Sequence, residues 1–145
     1  MLRPLTKSDL PQILVIEQAV HVAPWNMDTF KTCFDAGYVG WVLERDKQII
    51  GFIVVSIKVE ECHILNIGVP HAYQHQGIGT QLLEHAISEA KKQNAAIVYL
   101  EVRVSNAPAI AMYQKMHFYQ IGERKNYYPT PAGQEDAFVF ARSLV

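Results

Sequence analysis

The sequence predicts an α+β fold, helices laid against a mixed sheet, and three observations carry that reading. Residues 38–45, 48–58 and 61–69 are rich in Val, Ile and aromatics and are separated by the short polar turns Arg45-Asp46-Lys47 and Glu60-Glu61, the pattern of an antiparallel meander. After it, Leu82, Leu83, Ala86, Ile87 and Ala90 recur at helical spacing. Residues 95–102, Ala-Ala-Ile-Val-Tyr-Leu-Glu-Val, then form a short, nearly continuous apolar run, as in a strand covered on both faces.

The remaining elements fill in around these. Leu2 to Leu5 reads as a short first strand, and Ser8 or Asp9 supplies an N-cap for a helix carrying Leu10, Ile13, Leu14, Val15 and Ile16. Ala23-Pro24-Trp25-Asn26 breaks that helix, and a second follows from Met27 to Phe34. Gly37 and Gly40 flank the start of the meander. The central helix begins near Gly77 and ends near Gln93-Asn94. After the apolar run, Ser105 and Asn106 cap a further helix that tolerates Pro108 in its first turn and carries Ile110, Tyr113, Gln114 and Met116. Two closing strands, about 118 to 126 and 136 to 143, are joined by Tyr-Tyr-Pro-Thr-Pro-Ala-Gly. The sum is a mixed, mostly antiparallel sheet of about seven strands flanked by about four helices.

With 145 residues and no repeat, linker or low-complexity stretch, one domain spanning 1–145 is expected. Half the residues are hydrophobic, 19% are charged and the net charge is −1, so no charge excess points to nucleic acid or a membrane surface. The start, MLRPLTKSDL, lacks a signal-peptide core, and no run approaches the ~18 apolar residues a spanning helix needs, so a cytoplasmic location is expected. Cys33 and Cys62 lack metal or redox spacing and read as reduced, buried thiols. His71 and His75 are four apart with no helix between them and no third ligand, so no metal is expected.

The informative stretch is Gln74-His75-Gln76-Gly77-Ile78-Gly79, between a strand end and a helix start. Glycines let a backbone approach a ligand closely, and the free N–H groups and dipole of a helix start attract anions. A Walker loop fails, because Gly79 is followed by Thr80 and Gln81 rather than Lys and Ser/Thr. The dinucleotide fingerprint starts well at Gly77-Ile78-Gly79, with Glu101 at a plausible distance, but its third glycine falls on Leu82. A plain strand-to-helix turn stays open on this motif alone.

The stretch also fits, at every specified position, the Q/R-x-x-G-x-G/A loop that receives coenzyme A pyrophosphate. With that loop between a meander and a strand-helix pair, the whole chain resembles the GNAT family of acyl-CoA N-acyltransferases. Ala23-Pro24-Trp25, Leu65-Asn66-Ile67-Gly68-Val69, the 100–106 segment LEVRVSN and Asn126-Tyr127-Tyr128-Pro129-Thr130 are similar to that family's ribosomal-protein-alanine N-acetyltransferases. The resemblance implies the GNAT fold and direct transfer of acetyl from acetyl-CoA, without metal, to the N-terminal alanine of a ribosomal small-subunit protein. A lysine or small-molecule amine as acceptor, or a non-catalytic acyl-CoA sensor, are the rival readings. The enzyme is expected as a monomer or weak dimer without direct contact to nucleic acid or membrane.

Roles follow from this resemblance joined to chemistry. An α-ammonium group with pKa near ~8 must lose a proton before it attacks a thioester. Glu101, in an apolar strand that should raise its pKa, matches the general base; on pattern alone a solvated carboxylate or a pair with Arg103 fits equally. Tyr113, a core tyrosine by spacing, matches the general acid that protonates the departing thiolate. The resemblance places the cofactor against Ile67, Gly68 and Val69, the loop Gln74, His75, Gln76, Gly77, Ile78, Gly79 and Thr80, and Asn106. It places the acceptor near Trp25, Asn66, Tyr127 and Tyr128. His75 stands where related loops often carry a permanent positive charge.

Overall fold

The computed structural model describes residues 1–145, and they form one seven-stranded sheet with helices on both faces. The elements are β1 (Leu2–Pro4), α1 (Leu10–Val20), α2 (Met27–Asp35), β2 (Val39–Arg45), β3 (Gln48–Lys58), β4 (Glu61–Gly68), α3 (Ile78–Lys92), β5 (Ile97–Arg103), α4 (Ala107–Lys115), β6 (Tyr119–Thr130) and β7 (Gly133–Ser143). Strand order is β1-β2-β3-β4-β5-β7-β6, and only the β4–β5 pair is parallel. The mixed sheet, its seven strands and its four helices agree with the expectation from sequence.

Each half of the sheet owes its shape to local rules. Asp46 and Lys47 both take positive φ, which closes β2 onto β3 in two residues. Asp9 stands at the N-cap of α1, one of the two positions expected, although its side chain makes no cap bond to that helix. A 3-10 turn at Lys7–Asp9 precedes it, with Thr6 at its own cap, whose backbone N–H donates to Asp9 Oδ2 at 2.8 Å. The buried Asp9 carboxylate is held below its usual pKa by the Arg3 guanidinium, which forms a two-bond fork on it at 2.8 and 2.9 Å. Val15, expected on the apolar stripe, is exposed, and the helix buries Leu10, Ile13 and Ile16.

Two apolar layers result. On one face α3 and α4 cover Ile50, Ile53, Val98, Leu100 and Phe140 with Leu82, Leu83, Ala86 and Tyr113. On the other, α1 and α2 cover Val42, Phe52 and Val54 with Leu10, Ile13 and Phe30. Strand β5 departs from expectation here. Val98, Leu100 and Val102 are buried, but Ile97, Tyr99, Glu101 and Arg103 are only partly covered, because α1 and α2 lie over the first half of the sheet alone. The closing hairpin also differs. β6 runs through the aromatic segment to Thr130, with a break in register between Arg124 and Tyr128 and positive φ at Asn126, so Tyr127 and Tyr128 belong to a bulged strand rather than a turn.

Candidate active site

The site begins where the only parallel pair stops. β4 and β5 pair from Glu61↔Ile97 to Ile64↔Leu100 and no further, so Leu65 onward and Glu101 onward diverge into a cleft. At the same point β4 bulges: Val54 pairs with Asn66 and Val55 with Ile64, leaving Leu65 as the extra residue. A one-residue insertion reverses the alternation beyond it. Cys62 and Ile64 lie in the α3-side core, whereas beyond the bulge Asn66 turns to α1 and Ile67 to the α3 side. Gly68 faces the α1 layer, where a Cβ would sit 2.5 Å from Phe52, so that strand end has room only for glycine.

The predicted loop closes one end of the cleft. Gly77, at φ +79, is the left-handed N-cap of α3, and its carbonyl accepts the first helical bond from Gln81 N–H. The backbone N–H groups of His75 through Thr80 have no carbonyl partner, so the helix start presents a row of unused donors. Ile78 anchors the turn in the core, while His75 and Gln76 are exposed and Gly79 and Thr80 half-buried. Gln74 is spent inwardly: its Nε2 donates to the Val69 carbonyl at 3.0 Å and ties the loop to β4. Asn106 is the N-cap of α4, accepting from Ala109 N–H, which leaves its amide NH2 uncommitted.

Glu101 lies at the floor of the cleft. Its side chain is 6% exposed, and Oε1 accepts from His63 Nε2 at 2.8 Å and from the Tyr127 hydroxyl at 3.5 Å. Oε2 is buried without any partner in the chain. The expected upward pKa does not hold. Burial pushes the carboxyl up, but the His63 hydrogen bond and charge, Arg124 and Tyr127 outweigh it and hold Glu101 below its ordinary value. Arg103 does not pair with Glu101. It bonds Glu135 and the Pro129 carbonyl and stacks on the Tyr128 ring at 4.4 Å, which orders the end of β6.

Tyr113, on α4, is buried against Phe118 and Phe140, and burial alone pushes its phenol up to about 12. It therefore keeps its proton across the neutral range.

On the other wall stands a buried carboxylate that sequence reasoning missed. Glu17 is 1% exposed; Oε1 accepts from Asn66 Nδ2 at 2.9 Å and Oε2 from the Trp25 backbone N–H at 2.9 Å. His21 Nε2 donates to the Ile67 carbonyl at 3.0 Å. Glu17 thus joins the bulge of β4 to the loop between α1 and α2, and Trp25 itself packs edge-on against Phe30. Asn66 has a structural bond here. The signal was a carboxylate inside the apolar helix LPQILVIEQAV. His63, also missed, left no such trace, since its partner lies 38 residues away.

The structure thus brings Tyr127, with Tyr128 packed on it, to Glu101 on the floor of the cleft, and ties Asn66 and the Trp25 backbone together through Glu17.

Comparison with known proteins agrees with this geometry. The profile of the acetyltransferase (GNAT) family matches residues 9–118. The [ribosomal protein bS18]-alanine N-acetyltransferase of Escherichia coli K12 is 40% identical over 137 residues, 94% of this chain and 93% of that protein. An N-alpha-acetyltransferase of Saccharolobus solfataricus is 37% identical over 128 residues, covering 86% of this chain and 74% of its own. The crystal structure of the ribosomal-protein-S18-alanine N-acetyltransferase from Escherichia coli superposes with a TM-score of 0.93 at 38% identity, over 99% of this chain and 93% of that one.

Proposed function

The chain belongs to the GNAT acetyltransferase family, and we propose that within it the protein moves acetyl from acetyl-CoA to the N-terminal alanine amine of a ribosomal small-subunit protein. The likeness to the Escherichia coli bS18 enzyme, over nearly all of both chains, carries the reading. The cleft supplies matching chemistry. The unused N–H groups of His75 to Thr80 suit a pyrophosphate, and the diverging edge of β4 at Ile67 to Val69 suits the amides of a pantetheine arm. Asn106 has a free amide for the same ligand. Glu101 takes the acceptor's proton, directly or through one water, and Tyr113 gives its proton to the leaving thiolate. The amine attacks the thioester carbonyl directly, so no acyl-enzyme forms and the chain's part is placement and proton transfer. Trp25, Tyr127 and Tyr128 flank the entrance for the acceptor peptide.

Acceptor choice has a physical argument. An α-ammonium group near ~8 loses its proton more readily than a lysine side chain near ~10.4, by about 3 kcal/mol. A carboxylate held below its ordinary value is better suited to the weaker demand.

Incubation with acetyl-CoA and peptides differing in their first residue, with the modified nitrogen located by mass spectrometry, tests this. Acetyl on the α-nitrogen of Ala-first peptides is expected. Acetyl solely on internal lysines would sink the reading, and so would acetyl-CoA binding without release of free thiol, the behaviour of a sensor.

Gly77→Ala tests the loop. A Cβ at left-handed φ costs about 1–2 kcal/mol, although nothing lies within 4 Å of it. The variant is expected to raise KM for acetyl-CoA severalfold, with KM for the peptide little changed.

A further inference from the structure

The pairing of His63 with Glu101 lies outside the roles assigned above, and it rests on the reading of Glu101 as the base. We propose that His63 is a positioning residue: it holds Glu101 by Oε1, so that Oε2 alone receives the acceptor's proton.

Four observations converge on this. First, the parallel register sets His63 opposite Tyr99, so that Glu101 lies one step further along the same face of β5. Second, the His63 ring is fixed in plane by stacking on Tyr99, with centroids 4.4 Å apart and planes 18° from parallel. Third, Nε2 meets Glu101 Oε1 at 2.8 Å. An ionised carboxylate can only accept, so Nε2 carries the hydrogen, and the bond is charge-assisted. Fourth, Oε2 is the one buried side-chain polar atom in the molecule without a partner. Buried carboxylate oxygens are normally satisfied, and an unpaired one beside a fully engaged twin is an acceptor kept for a hydrogen from outside the chain.

The rotation of a carboxylate about its last torsion is soft. Without His63 the two oxygens of Glu101 become equivalent, and the weak contact from Tyr127 at 3.5 Å is too long to hold one of them. His63 is placed to prevent that interchange. It sits two residues before the bulge at Leu65, on the last outward-facing position of β4 that still pairs with β5, and its side chain is 24% exposed. A histidine needed only as packing for Tyr99 would not require a 2.8 Å bond to the carboxylate.

Two His63 variants, and a ring spectrum compared between the parent and Glu101→Ala, test the proposal. His63→Ala is expected to lower kcat about 10- to 100-fold, with KM for acetyl-CoA within about twofold of the parent. His63→Gln, whose amide nitrogen can stand in for Nε2, is expected to recover kcat to within about threefold. An unchanged kcat in His63→Ala would overturn the proposal, as would equal losses in both variants in step with a fall in Tm. Ring spectra of the free protein read the pair without any acceptor. A hydrogen-bonded, exchange-protected Nε2 proton on His63 is expected and should vanish in Glu101→Ala; its persistence there would also overturn the proposal. If no peptide is acetylated by the parent protein, the functional reading fails, and the ring spectrum still decides the pairing.

Discussion

Replacement of Glu101 by Gln is expected to lower kcat by about 10²- to 10⁴-fold, the range for loss of a positioned acid-base group, while KM for acetyl-CoA stays nearly constant. The amide keeps the volume of the carboxyl and can still accept from His63 and Tyr127, so the floor of the cleft should survive. What disappears is the acceptor for the amine's proton. The pH dependence separates this from mere damage. An α-ammonium group titrates near ~8, and an enzyme without a base can use only the fraction already neutral. Residual activity of the variant should therefore climb with pH through that range more steeply than the parent's. Steady-state rates from pH 6 to 9.5 check it; a variant within threefold of the parent at every pH would remove Glu101 from the mechanism. The depressed pKa adds a constraint. A carboxyl held below its ordinary value is a far weaker base than a free α-amine, so a Glu101 acting as base is expected to pass the proton on rather than store it.

Tyr113→Phe is the second large effect, with kcat expected to fall about 10²-fold and acetyl-CoA affinity to change little. The two residues differ by one hydroxyl, and that hydroxyl has no partner among the groups that set the Tyr113 pKa, burial being the sole cause. Its removal should therefore leave Tm unchanged or slightly higher, since the ring keeps its packing on Phe118 and Phe140. Burial disfavours the phenolate, so the neutral form persists until about 12. The sign is definite: raising the pH toward 10 should not remove the parent's activity through Tyr113. Thermal melts beside stopped-time assays check both parts. A variant equally impaired in Tm and in kcat would mark Tyr113 as a core residue alone.

How much of this was legible beforehand differs from one residue to the next. The left-handed turn at Gly77 and the unpaired N–H groups beside it were readable because they are backbone features, and glycine spacing before a helical stripe reports backbone conformation directly. The helix and strand bounds were close for the same reason, being written in periods of 3.6 and 2. The closing hairpin was misread because Pro and Gly mark a break in β6 no less than a turn, and only pairing with β7 distinguishes them. Glu17, His63 and the downward shift of Glu101 depend on partners from other elements. Asn66 lies 49 residues from Glu17 and His63 lies 38 from Glu101, and no local pattern records such distances.

The sequence by itself determined the α+β order of elements, the glycine-containing loop before α3 and the resemblance that led to the family, since each is a property of neighbours in the chain. The tertiary structure alone decided that β4 bulges at Leu65, that β4 and β5 part after Ile64 and Leu100, and that a carboxyl whose pKa was expected to rise is instead held below its ordinary value, chiefly by a histidine across the strand pair. The reason is physical. Periodicity encodes which face a residue takes, whereas the charge state of a buried acid depends on the sum of burial and every charge around it, and that sum exists only once the strands have met.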